Sequence, residues 1–261
     1  MKKTTQIFVL ATFAILMLGQ PVFAQLTGKQ VMEKVYNNPS GDDTQGNLTM
    51  TLTNNRGEQR VRTIKQFMKN DAKVEKKIMF FTAPADVRNT SFMSWSYSDG
   101  SSDDQWIYLP TLRRVRRISS DSKNDRFMGS DFTYDDLGER HPDEDSHSIL
   151  REESLKGESC YAIESVPRGD DDAFSKTVSW IVKDKWIGLK REYYNDKGEV
   201  YKTLSIEDYE KIDGYWVITD MLMEDLDRDH STRIEMENVQ FDTGLTDRFF
   251  SERQMQRGPR R

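Results

Sequence analysis

The chain has 261 residues, 38 Lys and Arg against 44 Asp and Glu, three histidines, one cysteine and 11% aromatic residues. Aromatics at this density are out of place in a disordered chain, and a lone thiol builds neither an internal disulfide nor a Cys-based zinc cluster. A net charge of -6 argues against a general nucleic-acid binder while leaving room for a local basic patch.

The start reads as an export signal. Lys2 and Lys3 precede thirteen uncharged, mostly apolar residues from Ile7 to Gly19, and then Gln20-Pro21-Val22-Phe23-Ala24. A basic n-region, a short apolar h-region and small residues at the break predict cleavage after Ala24. The expected organisation is therefore a signal peptide over 1–24 and one domain over 25–261. The apolar run is short for a bilayer span, and no other stretch approaches the required length, so no integral span is expected after cleavage. Losing Lys2 and Lys3 takes the net charge from -6 to about -8, which favours solubility in an exported compartment. The only cysteine, Cys160, follows no h-region, so a lipid anchor on it is not expected; an alternating strand pattern around it predicts burial.

Residues 26–37 carry Val31, Met32 and Val35 behind a Thr27 cap, the pattern of a short amphipathic helix. The period then changes to two. Leu48, Met50 and Leu52 alternate with threonines, Asn54 to Glu58 supply a turn, and 61–68 return as a second strand. Further strands are expected over 74–81, 90–97, 105–109, 115–118, 148–155, 160–166, 177–182, 189–194, 200–212, 215–223 and 231–239. Gly-containing turns at 156–158, 195–199 and 212–214 suggest a meander. Residues 119–146 form the one long irregular stretch, and 246–253 read as a final helical turn.

Several strands are apolar on both faces. In 92–97, Met93, Trp95 and Tyr97 alternate with Phe92 and two serines, and Trp106 and Tyr108 oppose Ile107 and Leu109. A strongly curved sheet enclosing an interior accounts for this pattern, as does a sandwich or α+β sheet with covered strand ends. A membrane-spanning barrel fits poorly, because Lys65, Glu75, Lys76, Lys190 and Glu207 fall within the strands.

No Gly-x-Ser-x-Gly, His-Glu-x-x-His, P-loop or Gly-x-Gly-x-x-Gly pattern is present. The stretch from His141 to His147 has metal-ligating side chains without a recognised ligand spacing, and reads more simply as a solvated acidic loop. The forty-four acids offer too many carboxylate pairs to single out a hydrolase site. The most distinctive segment runs from Asp104 to Ser120 and holds Arg113, Arg114, Arg116 and Arg117 around Val115. These four arginines are a basic rim able to grip phosphate or carboxylate, or a charged edge that resists aggregation. Just downstream, Phe127, Met128, Phe132 and Tyr134 stand in a loop-like context and are candidates for a cover over an apolar interior.

Asp104-Gln105-Trp106-Ile107-Tyr108-Leu109-Pro110, the segment 113–119 and Phe127-Met128-Gly129-Ser130-Asp131-Phe132-Thr133-Tyr134-Asp135-Asp136 resemble the exported proteins known as outer-membrane lipoprotein-sorting proteins, relatives of the LolA/LolB carriers. The resemblance covers nearly all of the chain after residue 24. It implies a mainly β fold in which a highly curved antiparallel sheet forms an unclosed barrel, with helices and loops over its mouth and an apolar cavity between. It implies a periplasmic, non-enzymatic carrier, without cofactor or metal, that shields the acyl chains of a lipoprotein or lipid between membranes. The alternative is an adaptor that docks to an inner-membrane transporter or another envelope partner; nucleic acid is not an expected partner. Strand pattern nominates Met93, Trp95, Trp106, Tyr108, Trp180 and Met221 as wall residues, and the sequence leaves open which face turns inward.

Overall fold

The computed structural model describes residues 25–169 and 172–259. The expected signal segment and its cleavage site lie outside the described residues. The helix expected near the start is α1 (Gly28–Tyr36), and a second, α2 (Glu252–Arg257), follows a 3-10 turn at the far end. Thr27 opens α1 through a capping box. Its hydroxyl accepts from the Gln30 amide at 3.2 Å, and Gln30 Oε1 accepts from the Thr27 amide at 2.9 Å.

Thirteen strands follow: β1 (Asp43–Thr53), β2 (Gln59–Asn70), β3 (Val74–Ala83), β4 (Ser91–Tyr97), β5 (Asp104–Leu109), β6 (Arg114–Arg117), β7 (Asp145–Leu155), β8 (Glu158–Pro167), β9 (Lys176–Val182), β10 (Gly188–Tyr194), β11 (Val200–Ile212), β12 (Tyr215–Asp225) and β13 (His230–Phe241). All belong to one antiparallel sheet in the order β6-β5-β4-β3-β2-β1-β13-β12-β11-β10-β9-β8-β7. The expected meander is thus two meanders. The chain leaves the sheet after β6, and the halves join where β1 pairs with β13, with Leu48 opposite Met236 and Met50 opposite Ile234. β6 and β7 are the two edges, so the barrel is unclosed.

Local chemistry sets the turns. Between β1 and β2, Asn54 Oδ1 accepts from the Arg56 and Glu58 amides, an Asx turn, while Gly57 takes φ +76°.

The curvature follows from what reaches the segment between β6 and β7. Lys77 on β3 donates to the Leu137 carbonyl at 3.0 Å, and Lys202 on β11 pairs with Asp136 at 2.9 Å. Five strand spacings separate β3 from β11, about 24 Å in a flat sheet. Two lysine side chains spanning that gap to adjacent residues require the sheet to curl around them.

Two covers, one on each face, explain strands that are apolar on both sides. The inner face carries Leu48, Met50, Ile64, Met79, Phe81, Phe92, Met223 and Ile234, packed under Phe127, Phe132 and Leu137 of the segment 118–144. Farther along that face α1 packs Val31 on Ile163 and Ile181. On the outer face of β2–β5, Phe67, Ile78, Phe80 and Met93 lie beneath Leu245, Phe249, Phe250 and Met255. Outward from β8 to β10, the fully buried Cys160 packs with Ala162, Val178 and Trp180. Among the described residues no helix is long and apolar enough to cross a membrane.

Candidate functional site: the covered inner face

The segment 118–144 carries little regular structure beyond short 3-10 turns, yet it inserts its apolar side chains into the curl of the sheet. Phe127 is fully buried, with its ring centroid 5.2 Å from that of Phe92, 5.9 Å from Phe81 and 5.6 Å from Tyr134. Phe132 is buried beside it, and Met128 and Tyr134 pack around the same cluster. The four cover candidates therefore come together on one face.

Polar side chains from both halves of the sheet hold this cover. Arg62 of β2 donates through Nη1 to the Met128 carbonyl at 2.7 Å. Asp131 accepts from Thr232 Oγ1 at 2.7 Å, lies 2.6 Å from His230 Nδ1, and pairs with Arg126, which also pairs with Asp225 of β12. Asp136 accepts from Lys202 and from the Tyr193 hydroxyl, the latter at 3.1 Å. Gln105 of β5 donates to the Tyr134 carbonyl at 2.8 Å. Burial pushes the Asp136 carboxyl up, but Lys202, Thr133 and their hydrogen bonds outweigh it and hold the group below the usual carboxylate range. Arg62 is shifted down by burial.

Beside the cover, a cavity of about 290 Å³ remains between α1 and strands β8–β12. Met32, Val35, Phe132, Phe174, Leu204 and Met223 give it apolar walls, while Asp136, Glu139, Arg140 and Arg191 stand at its polar side. Arg140 is tied to Asp145 and Asp172, each at 2.6 Å. Near the same segment, Glu139, Asp103 and Glu75 crowd around Lys77. Burial, with Glu75 next, pushes Glu139 up to about 7. Burial likewise pushes Asp103 up to about 6, against hydrogen bonds from Ser96 and the Glu139 amide.

The six wall candidates are not brought together. Met221 faces the cover with Ile206 and Ile234. Met93, Trp95, Trp106 and Tyr108 lie on the outer face with the 245–255 segment, Trp95 and Trp106 stacked edge to face at 5.5 Å. Trp180 also faces outward, donating to Glu153 at 2.6 Å. Opposite parity serves the interior: Phe92, Ser94 and Ile107 of β4 and β5 turn to the cover side. The four rim arginines sit on β6 and the turn before it, all exposed, with Arg117 paired to Asp104.

His141 and His147 are used structurally. His141 Nδ1 accepts from the Asp143 amide, and His147 bridges Ser165 and the Pro142 carbonyl. Among the described residues no group of three or more His, Cys, Asp and Glu is placed to hold a metal ion.

Arg62 and Lys202, like Gln105, Arg126, Asp131 and Asp136, are site residues that strand pattern alone did not nominate. A signal existed for Arg62: it shares parity with Ile64, so it is a cation placed on the buried face of its strand.

The arrangement is a curled antiparallel sheet, unclosed, with its inner face under a helix and an irregular cover. A LolA superfamily protein from Nitrosomonas europaea superimposes with a TM-score of 0.69 at 19% identity, over 88% of this chain and all of that one. A family profile described as uncharacterized protein-like matches residues 73–257. A DUF1329 family protein from Desulfovibrio piger is 32% identical, with a TM-score of 0.83 over 88% of this chain and 98% of that one. A domain from Vibrio parahaemolyticus, named for outer membrane lipoprotein sorting, is 30% identical with the same TM-score and coverage. The chain belongs to the DUF1329 family. No curated protein matches it.

Proposed function

We propose that this protein is an exported, periplasmic carrier that shelters the acyl chains of a lipoprotein or lipid against the inner face of its sheet. The observation that carries the proposal is the cover. A segment outside the sheet fills the interior with its own Phe127, Phe132 and Leu137, and is tied to the strands by Arg62, Gln105 and Lys202.

The residual cavity of about 290 Å³ lies at the small end for ligand pockets, about 300–1,000 Å³. An acyl chain enters by displacing cover side chains, and exchanges one set of apolar contacts for another. Methionines at 50, 79, 128, 221, 223 and 236 around that interior suit it to chains of variable shape. This role needs no chemistry. The resemblance of the Vibrio domain, named for lipoprotein sorting, supports lipoprotein as one cargo, with a lipid released by an inner-membrane transporter as the other.

The test is native mass spectrometry of the gently purified protein with lipid extraction, paired with titration of a fluorescent fatty acyl probe. Co-purified acyl lipid, or saturable probe binding displaced by unlabelled fatty acid, is the expected result. Protein that is always empty and binds no probe overturns the proposal.

A further inference from the structure

One end of the molecule concentrates positive charge against the trend of the whole chain. Residues 112–123 hold four arginines and Lys123 against Asp121, and residues 248–257 hold three arginines against Glu252, in a chain of net charge -6. The fold brings the two segments together. α2 lies against β4, β5 and β6, and Val115 of β6 packs on the cluster that contains Met255.

Among the described residues, Arg113, Arg114 and Arg116 make no ion pair, nor do Arg248, Arg253 and Arg257, and all six are exposed. On β6, Arg114 and Arg116 project to the inner side and Arg117 to the outer, as their partners Leu109, Ile107 and Trp106 fix. The arginines of the C-terminal segment flank the outer side, around an open groove of about 700 Å³ with Leu245 and Phe249 at its floor and no carboxylate in its lining. The guanidinium fork matches phosphate oxygens in pairs, which an ammonium does not.

We propose that this end, the β6 edge with the α2 segment, docks on the surface of an anionic phospholipid bilayer. Arginines on both flanks of a sheet edge form a broad band instead of a single row. A planar array of phosphates satisfies both flanks at once, whereas one added acidic strand along β6 reaches only the edge. Such docking is peripheral, electrostatic and reversible. It brings a cargo-binding face to a membrane without a membrane anchor.

The experiment is co-sedimentation of the chain purified after export with vesicles of phosphatidylglycerol and phosphatidylcholine, or of phosphatidylcholine alone. Binding to the anionic vesicles only is expected, with its loss between about 50 and 300 mM salt as the Debye length shortens. The variants Arg113→Gln/Arg114→Gln/Arg116→Gln and Arg248→Gln/Arg253→Gln/Arg257→Gln should each weaken it on the order of 100-fold. The equally charged control Lys197→Gln/Lys211→Gln/Arg228→Gln should leave it unchanged. Inorganic phosphate should compete no better than chloride at equal ionic strength.

Equal binding to neutral vesicles, equal weakening by the control variant, or specific displacement by inorganic phosphate overturns the proposal. The last outcome assigns a free-anion site. No vesicle binding also overturns it and leaves an acidic protein as the partner of this face. Acyl probe binding is measured on the same samples, so a carrier that does not dock is distinguished from a protein that does neither.

Discussion

The guanidinium of Arg62, only 8% exposed on the inner face of β2, donates to the carbonyl of Met128 at 2.7 Å and ties the sheet to the cover. No carboxylate pairs with it among the described residues; the favourable charge influence on it is that of Asp86, opposed by Arg60. A buried cation so weakly compensated contributes little to net stability, because desolvation offsets most of the bond. Arg62→Met is therefore expected to leave the melting temperature close to wild type, within about 1 kcal/mol, while freeing the cover. Limited proteolysis should cut within 125–137 faster than in wild type. A large fall in stability with no change in cleavage would show that Arg62 supports the sheet and not the cover.

Lys202 and Asp136 make the opposite case. The pair is buried and correctly matched, with Asp136 held below the usual carboxylate range. A depressed carboxylate stabilises the fold above its unfolded pKa and loses that contribution as pH falls through the folded value. Lys202→Met strands the carboxylate and should cost about 3 kcal/mol at neutral pH, with a smaller deficit in acid where Asp136 takes up a proton. Urea denaturation of wild type and variant at pH 7 and pH 3 checks both the size and the sign.

Phe127→Ala separates a cargo site from an ordinary core. Removing a fully buried phenylalanine should cost about 3–5 kcal/mol. If the interior takes acyl chains, a fatty acyl probe should restore part of the loss, since a ligand that binds only the folded state raises its stability. The readout is the thermal shift with and without probe, compared with Ile163→Ala, which removes a buried side chain packed under α1 instead of under the cover. Rescue of neither variant, or of both alike, counts against a cavity filled by Phe127.

Much of this fold was legible in the sequence because period-two alternation and Gly turns survive averaging. The thirteen strands, the opening helix and the irregular cover all sit near their expected places. Parity inside β4 and β5 was not legible. Trp95 and Trp106 look like better cavity walls than Ser94 and Gln105, and only the docking of Phe249, Phe250 and Met255 explains why the heavier aromatics turn outward. That contact joins residues more than 130 positions apart, beyond any local pattern. The β1–β13 pairing escaped for the same reason, since a meander read locally does not predict that its first and last strands meet.

Glu139 and Asp103 predict an unusual pH dependence. Burial, and for Glu139 the neighbouring Glu75, raises both carboxyls, Glu139 from 4.5 to about 7 and Asp103 from 3.8 to about 6. The folded state therefore binds more protons than the unfolded state across this window. The stability they contribute is fully present below the unfolded values and is lost as pH rises through about 6 and about 7. Glu139→Gln should be more stable than wild type at pH 8, by about 1–2 kcal/mol, and the difference should shrink by pH 5. Thermal melts at pH 5, 6.5 and 8 test this, and a variant less stable than wild type at pH 8 would contradict it.

Gly28 fixes how closely α1 seats over the cavity. A Cβ there would stand 2.7 Å from the backbone carbon of His147 and from the backbone nitrogen of Ser148, and neither strand atom can swing aside. Gly28→Ala improves helix propensity, a gain of about 1 kcal/mol, yet overpacking against backbone costs about 1–3 kcal/mol, so clash should win. The helix then lifts from β7, and Val31, Met32 and Val35 loosen from the wall they complete. The expected result is a lower melting temperature together with faster amide exchange confined to α1 and the facing part of β7. Acyl probe should bind faster than to wild type, because Met32 and Val35 line the cavity and their loosening enlarges the space beside the cover. Unchanged exchange in α1 would mean that the helix tolerates the methyl group and that its seating does not control access.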